Sequence, residues 1–95
     1  MATNYTKPGR RDCLGYQQIG TLTTATALTV PAGARIACIV AEAQAVRWRD
    51  DGTDPTAAIG MPLPVNTMLE YSGDLSRIKF IEQTASGKLN VTYFA

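Results

Sequence analysis

Short runs in which apolar and polar residues alternate constrain the fold of this chain more than any other feature of its sequence. In the run 45–49, Val46 and Trp48 point to one side of an extended chain. Arg47 and Arg49 point to the other side. Seven or eight such runs recur at spacings of about 8–12 residues, and no run has the period of an amphipathic helix. The sequence therefore predicts an all-β fold, a small jelly-roll-like β-sandwich, with an immunoglobulin-like strand order as the alternative.

The alternation also predicts which segments are strands and which side chains form the core. Strands are predicted over residues 15–24, 26–30, 35–42, 45–49, 68–71, 77–82 and 88–93, with an irregular extended segment at 61–64. The run 35–42 is nearly all apolar and predicts a central strand covered on both faces. Ser86 and Gly87 are predicted to form a hairpin turn. The predicted core consists of Val40, Trp48, Ile78, Phe80, Leu89 and Val91. Ile39 and Ile81 are predicted to form an aliphatic surface.

Composition places the chain among globular proteins and limits the kinds of partner that it is expected to bind. Hydrophobic residues make up 45% of the 95 residues and charged residues 18%, which excludes a chain that is disordered throughout. A chain of this length is expected to fold as one domain. Nine basic and eight acidic residues give a net charge of +1, so the sequence predicts no nucleic-acid and no membrane partner. We therefore expect a protein partner.

The chain contains no histidine, and this absence excludes several classes of enzyme. Histidine-based catalytic triads, HExxH metal helices and histidine-ligated metal centres all need an imidazole. Cys13 and Cys38 are 25 positions apart, which fits neither a CxxC redox motif nor a four-cysteine zinc site. Cys38 is expected to be a buried reduced thiol, with a disulfide as the alternative. We predict no catalytic, cofactor-binding or metal-binding residues and no enzymatic activity.

Three aspartates permit two other interpretations. Asp50, Asp51 and Asp54 resemble a calcium-binding loop, but their spacing does not fit an EF-hand loop of about twelve residues, and a solvated turn is the favoured interpretation. The same acids with Glu70 or Glu82 could form a glycosidase pair, which requires a cleft and opposed placement of the two carboxylates. The sequence does not provide that placement, so neither interpretation is adopted.

Trp48 between two arginines suggests a stacking platform for single-stranded nucleic acid. Alternation argues against this, because it places the indole on the opposite face of the strand from Arg47 and Arg49. The arrangement favours a core tryptophan and outward arginines that pair with acids or with a partner protein.

The first eleven residues differ from the rest of the chain in charge. Lys7, Arg10 and Arg11 occur there without an acid, giving +3 and leaving −2 for residues 12–95. This split predicts a flexible basic arm, 1–11, ahead of a single β-sandwich domain, 12–95. Tyr5 joins the three basic residues as a candidate partner contact, because aromatic and arginine side chains are enriched at interface hot spots. The alternative is a frayed terminus.

A series of short blocks occurs at residues 46–53, 55–56, 60–63, 69–75 and 78–81. This series resembles small virion proteins of tailed bacteriophages. In size and strand pattern the chain is also similar to jelly-roll cement, or decoration, proteins of phage capsids. The similarity covers the body of the chain from about residue 27 to residue 93 and not the basic arm.

The resemblance implies a function, a partner and a location. It implies a non-enzymatic structural protein without cofactor that is made in the host cytoplasm, binds the major capsid protein on the capsid surface and associates as a homotrimer. Two alternatives stay open. One is a neck, collar or tail-associated protein, and the other is a carbohydrate-binding module for the host surface, for which an exposed Trp48 would be the stacking platform.

Overall fold

The computed structural model describes residues 11–95 and consists of two four-stranded antiparallel sheets. The strands are β1 (Cys13–Ile19), β2 (Thr26–Ala27), β3 (Ile36–Glu42), β4 (Val46–Arg49), β5 (Met61–Leu63), β6 (Met68–Tyr71), β7 (Lys79–Glu82) and β8 (Lys88–Phe94). The first sheet has the order β1-β8-β3-β6 and the second the order β2-β7-β4-β5. This range contains no helix that could span a membrane. The predicted all-β sandwich of seven or eight strands is confirmed.

Between residues 11 and 95 the chain crosses from one sheet to the other at six of the seven strand connections, and within this range only β4 and β5 are consecutive strands of one sheet. The predicted hairpin at Ser86 and Gly87 is therefore wrong, because β7 and β8 belong to different sheets. Ser86 has a left-handed backbone with φ 76°, and the Gly87 N–H donates to Oε1 of the buried Glu82 at 3.0 Å. Turn chemistry predicts a reversal of the chain but does not predict which strand the chain joins next.

The core lies between the two sheets. Its buried apolar residues are Ile19, Leu22, Leu28, Ala37, Ile39, Ala41, Val46, Leu63, Leu75, Ile78, Phe80, Leu89, Val91 and Tyr93. Four of the six predicted core residues are among them. The predictions for Val40 and Trp48 are wrong, because both are only half-buried. Trp48 packs against the core from its margin, whereas Val40 lies on the outer face of β3.

The two faces of β3 are assigned the opposite way from the prediction. Ile39 pairs with Val91 of β8, and both side chains are completely buried. Ile39 is therefore not a surface residue, whereas Ile81 on β7 is half-buried. The outer face of β3 is also only half-buried, so the strand is not covered on both sides. Both faces of this strand are apolar, so alternation alone cannot indicate which face meets the other sheet.

The first strand ends earlier than predicted. β1 ends at Ile19, and residues 20–25 leave the sheet although Leu22 is completely buried. The Leu22 carbonyl accepts a hydrogen bond from the Glu82 N–H at 3.0 Å, which holds this segment against the second sheet. Buried side chains therefore continue beyond the strand, and alternation extends the predicted strand too far.

Candidate functional site

The loop between β4 and β5, residues 50–60, is held by outward-facing side chains of the second sheet. Arg47 donates from Nε to the Ala57 carbonyl at 3.1 Å and from Nη1 to the Gly60 carbonyl at 2.9 Å. Gly60 has φ 145°, and a Cβ at this position would lie only 3.1 Å from the Arg47 Cβ and 3.2 Å from the Pro55 Cβ. The end of the loop therefore packs closely on β4 and requires glycine there.

Two ion pairs hold the first half of the loop. Arg49 donates from Nε to Asp51 at 3.0 Å and also pairs through Nη2, and Lys79 Nζ lies 3.1 Å from Asp54 Oδ1. The hydrogen bond from Arg49 lowers the pKa of Asp51 below its ordinary value. Both pairs are exposed to solvent, so they orient the loop more than they stabilise the fold. The arginines of β4 point outward, as alternation predicts.

Asp50 connects the two sheets through aromatic side chains. The Tyr71 hydroxyl donates to Asp50 Oδ2 at 2.6 Å, and the rings of Trp48 and Tyr71 meet edge to face with centroids 6.0 Å apart. A Cβ at Gly73 would overlap the Tyr71 hydroxyl, so this packing requires glycine at position 73. Trp48 is half-buried and engaged within the protein, so it is not an exposed stacking platform for a base or a sugar.

A loss of stability at alkaline pH is predicted from the buried Tyr93 and the half-buried Tyr71. Burial, and then the hydrogen bond to Asp50, raises the pKa of Tyr71 from 10.0 to about 12, and burial raises the pKa of Tyr93 to about 12. The unfolded chain therefore loses these protons first, and the free energy of unfolding should fall as pH rises from about 10 to about 12. Urea unfolding across this range should show a shallower fall for Tyr71→Phe than for wild type. An equally steep fall for wild type and Tyr71→Phe would contradict a raised pKa for Tyr71 in the folded protein.

The acidic residues that suggested metal or glycosidase chemistry lie in separate environments. Asp50, Asp51 and Asp54 each contact a different side chain. Within residues 11–95, no group of three His, Cys, Asp or Glu side chains could hold a metal ion. Glu82 faces the interior from β7, whereas Glu70 is exposed on β6 of the other sheet. The geometry of the described residues therefore supports the solvated-turn interpretation.

Two large apolar side chains stay exposed at the end of the β4–β5 loop. Ile59 is 59% exposed and Met61 is 56% exposed, and we name these two residues the Ile59–Met61 tip. The Ile59 N–H donates to Thr56 Oγ1 at 3.0 Å, which fixes the approach to the tip. A groove of about 360 Å³ separates the tip from the pair formed by Arg49 and Asp51. The tip is therefore an apolar surface on a loop of defined shape.

A second group of side chains lies on the outer face of the first sheet. Asn90 Oδ1 accepts hydrogen bonds from the Tyr16 hydroxyl at 2.6 Å and from Gln18 Nε2 at 3.1 Å. Asn90 Nδ2 donates to Glu42 Oε1 at 2.9 Å. We name these four residues the Tyr16 cluster. They come from β1, β8 and β3, which are adjacent strands, so the sheet itself brings them together.

The predicted partner contacts fall mostly beyond the structure. Tyr5, Lys7 and Arg10 lie outside the described residues. Arg11 is described, and its Nη2 lies 2.6 Å from Glu70 Oε2. This hydrogen bond raises the pKa of Arg11 and lowers the pKa of Glu70. Arg11 therefore contacts an acid of its own chain, and the boundary between an arm, 1–11, and a domain, 12–95, stays a prediction.

The two cysteines are free thiols on different strands. Cys13 on β1 faces Phe94 of β8, and Cys38 on β3 faces Thr92 of β8. With β8 between them, their Cα atoms are separated by two strand spacings of about 4.8 Å each, which exceeds the reach of a disulfide. Cys38 is half-buried rather than buried, because it lies on the outer face of β3.

Sequence reasoning missed both the Tyr16 cluster and the Ile59–Met61 tip. Alternation within the predicted strand 15–24 puts Tyr16 and Gln18 on the same face, and this is the available signal for half of the cluster. Asn90 joins them across 74 positions of the chain, and such a distance leaves no local signal. No periodic pattern in the sequence predicts that the tip is exposed, because its exposure depends on how the loop folds over β4.

Comparison with known proteins found no matching family model, no matching curated protein and no matching solved structure.

Proposed function

We propose that this protein is a non-enzymatic structural protein of a bacteriophage virion, a capsid cement protein that binds the assembled head and stabilises it. The strand orders β1-β8-β3-β6 and β2-β7-β4-β5, with six crossings between sheets, support a jelly roll built from two Greek keys. This is the fold of the cement proteins that the sequence resembles. A fold does not determine a function, so the proposal rests on a surface.

The Ile59–Met61 tip carries the proposal. Ile59 and Met61 line one groove, and neighbouring exposed apolar side chains favour contact with another protein. Holding them in one arrangement lowers the entropy lost on binding. Here the loop that bears them is held by Arg47, by two ion pairs and by the close packing at Gly60. The protein therefore presents a preformed apolar contact to the major capsid protein, and little conformational entropy is lost when the contact forms.

Stabilisation of the head would follow from mass action. A protein that binds only the assembled shell lowers the free energy of that state by about 2.7 kcal/mol per site when its free concentration is a hundredfold above Kd. Repeated over the symmetric positions of a shell, this contribution makes disassembly less favourable. In this proposal the protein lies on the capsid surface and associates as a homotrimer, with no nucleic acid and no membrane among its partners.

A matched pair of methionines tests the docking surface. Met61→Gln should weaken binding to particles that lack the protein by about tenfold or more, because glutamine has nearly the same shape but resists desolvation. Met68→Gln is the control, since Met68 is 62% exposed on the opposite sheet and should leave binding unchanged. Binding is measured by quantitative co-sedimentation, and both variants should keep the wild-type thermal midpoint. Equal binding by the two variants would reject the tip as the docking surface.

Imaging the intact particle distinguishes the cement proposal from a neck or tail location. A cement protein should form a layer at repeated positions over the whole shell. A single ring at one vertex would overturn the proposal in favour of a neck or collar protein.

A further inference from the structure

The outer face of the first sheet carries the Tyr16 cluster, which the proposed function does not use. We propose that this cluster is a binding site for a neutral glycan, with the Tyr16 ring stacking on a sugar and the neighbouring amide and carboxylate groups bonding its hydroxyls. The site is separate from the Ile59–Met61 tip, because the tip belongs to a loop of the second sheet. One molecule could therefore contact a capsid and a glycan at the same time.

The cluster is organised before any ligand binds. Asn90 is its centre and accepts from Tyr16 and Gln18 while it donates to Glu42. All four side chains stand on strands whose backbones are paired in one sheet. Their orientations are therefore set by hydrogen bonds and by the sheet, so a ligand would cost little ordering entropy on binding.

The unused hydrogen-bonding groups match the chemistry of a sugar. Within the described part of the chain, the network uses one N–H of Gln18, one N–H of Asn90 and one carboxylate oxygen of Glu42. The second N–H of each amide, the Gln18 carbonyl oxygen and the second Glu42 oxygen remain for a ligand. A sugar hydroxyl both donates and accepts, so it can bond to either kind of group.

The exposed aromatic ring supplies the second element of sugar recognition. Tyr16 is 63% exposed, although its hydroxyl is bonded to Asn90. The ring therefore presents an apolar face directly beside polar groups. A pyranose ring has the complementary arrangement, with C–H groups on one face and hydroxyls at its edge, so it can stack and form hydrogen bonds at once.

Charge and polarity argue against other classes of ligand. The charged member of the cluster is Glu42, whose cross-strand neighbour is Lys88, so the site offers no excess positive charge to a phosphate or a sulfate. A protein partner would favour an apolar centre that excludes water, whereas the centre here is the amide of Asn90. A neutral polyhydroxylated ligand needs neither excess positive charge nor an apolar centre, so it fits this site.

A glycan array tests the proposal with the full-length protein. The array carries bacterial surface polysaccharides together with cellohexaose, maltohexaose and chitohexaose, and it is probed with wild type, Tyr16→Ala, Tyr16→Phe, Gln18→Ala and Met68→Ala. The strongest neutral ligand is then titrated by calorimetry. Tyr16→Ala should lose affinity by about tenfold or more, and Tyr16→Phe should stay within about threefold of wild type because it keeps the ring. Gln18→Ala should weaken binding, and Met68→Ala, on the same sheet but outside the cluster, should bind normally.

The results for these variants distinguish the Tyr16 cluster from the docking surface at the Ile59–Met61 tip. Circular dichroism should show native folding of the variants, and Gln18→Ala provides an independent test if Tyr16→Ala does not fold. The proposal is overturned if wild type binds no neutral glycan, if it binds only anionic ones, or if Tyr16→Ala and Gln18→Ala both bind as wild type does. Particle binding by Tyr16→Ala should be unchanged, so a failure of the glycan site leaves the cement proposal intact, and loss of particle binding would instead assign this face to the capsid.

Discussion

Phe80→Ala is expected to lower the free energy of unfolding by about 3–5 kcal/mol, which is a large part of the roughly 5–15 kcal/mol by which a native domain is stable. Phe80 is completely buried in the centre of the second sheet, with Trp48 of β4 on one side and Thr26 of β2 on the other. Truncation removes a completely buried ring from the core and leaves a cavity that the paired strands on either side cannot close. Urea unfolding followed by circular dichroism measures the loss.

Ile81→Ala is the control for this experiment. Ile81 is the next residue of β7, but its side chain points to the outer face and is only half-buried. Its truncation should cost clearly less, on the order of 1 kcal/mol. A change for Phe80→Ala as small as that for Ile81→Ala would show that β7 does not place Phe80 in the core.

Ile39→Ala should destabilise the protein by about 2–5 kcal/mol, whereas Val40→Ala should cost about 1 kcal/mol or less. The two residues are adjacent on β3 and differ in the face to which they point. Ile39 is completely buried against Val91, whereas Val40 is half-buried on the outer face. The difference between the variants therefore reports the orientation of the strand directly.

The result for this pair distinguishes two arrangements of the sandwich. A larger loss of stability for Val40→Ala than for Ile39→Ala would mean that β3 is shifted in register by one residue. Such a shift would turn every side chain of the strand to the other face of the sheet. In that arrangement Glu42 would leave the Tyr16 cluster, so the same measurement also checks the geometry of the proposed glycan site.

The candidate surfaces show that patterns among neighbouring residues predict only part of a functional site. The outward direction of Arg47 followed from strict alternation with Val46, and the structure places its guanidinium against the β4–β5 loop. The resulting exposure of Ile59 and Met61 did not follow, because it depends on where an irregular loop of eleven residues, 50–60, comes to rest. Alternation describes regular strands and carries no information on such a loop.

The sequence by itself determined the class of fold and the chemistry that the protein lacks. The strand β6 over Met68–Tyr71, the turn at Ser86 and Gly87, and the inward direction of Phe80 and Leu89 follow from residue preferences within a few positions of the chain. The absence of histidine likewise needs no structure to exclude imidazole chemistry.

The tertiary structure decided which strands pair and which surfaces result. It sends the chain across the sandwich at Ser86, turns Ile39 rather than Val40 inward, and joins Asn90 to Tyr16 and Glu42 across 74 and 48 positions of the chain. Each of these outcomes depends on pairing between distant strands, where the free energy comes from burying whole faces together rather than from any local preference. A pattern with period two is equally satisfied on either face of an apolar strand, so only the packed sheets could choose between them.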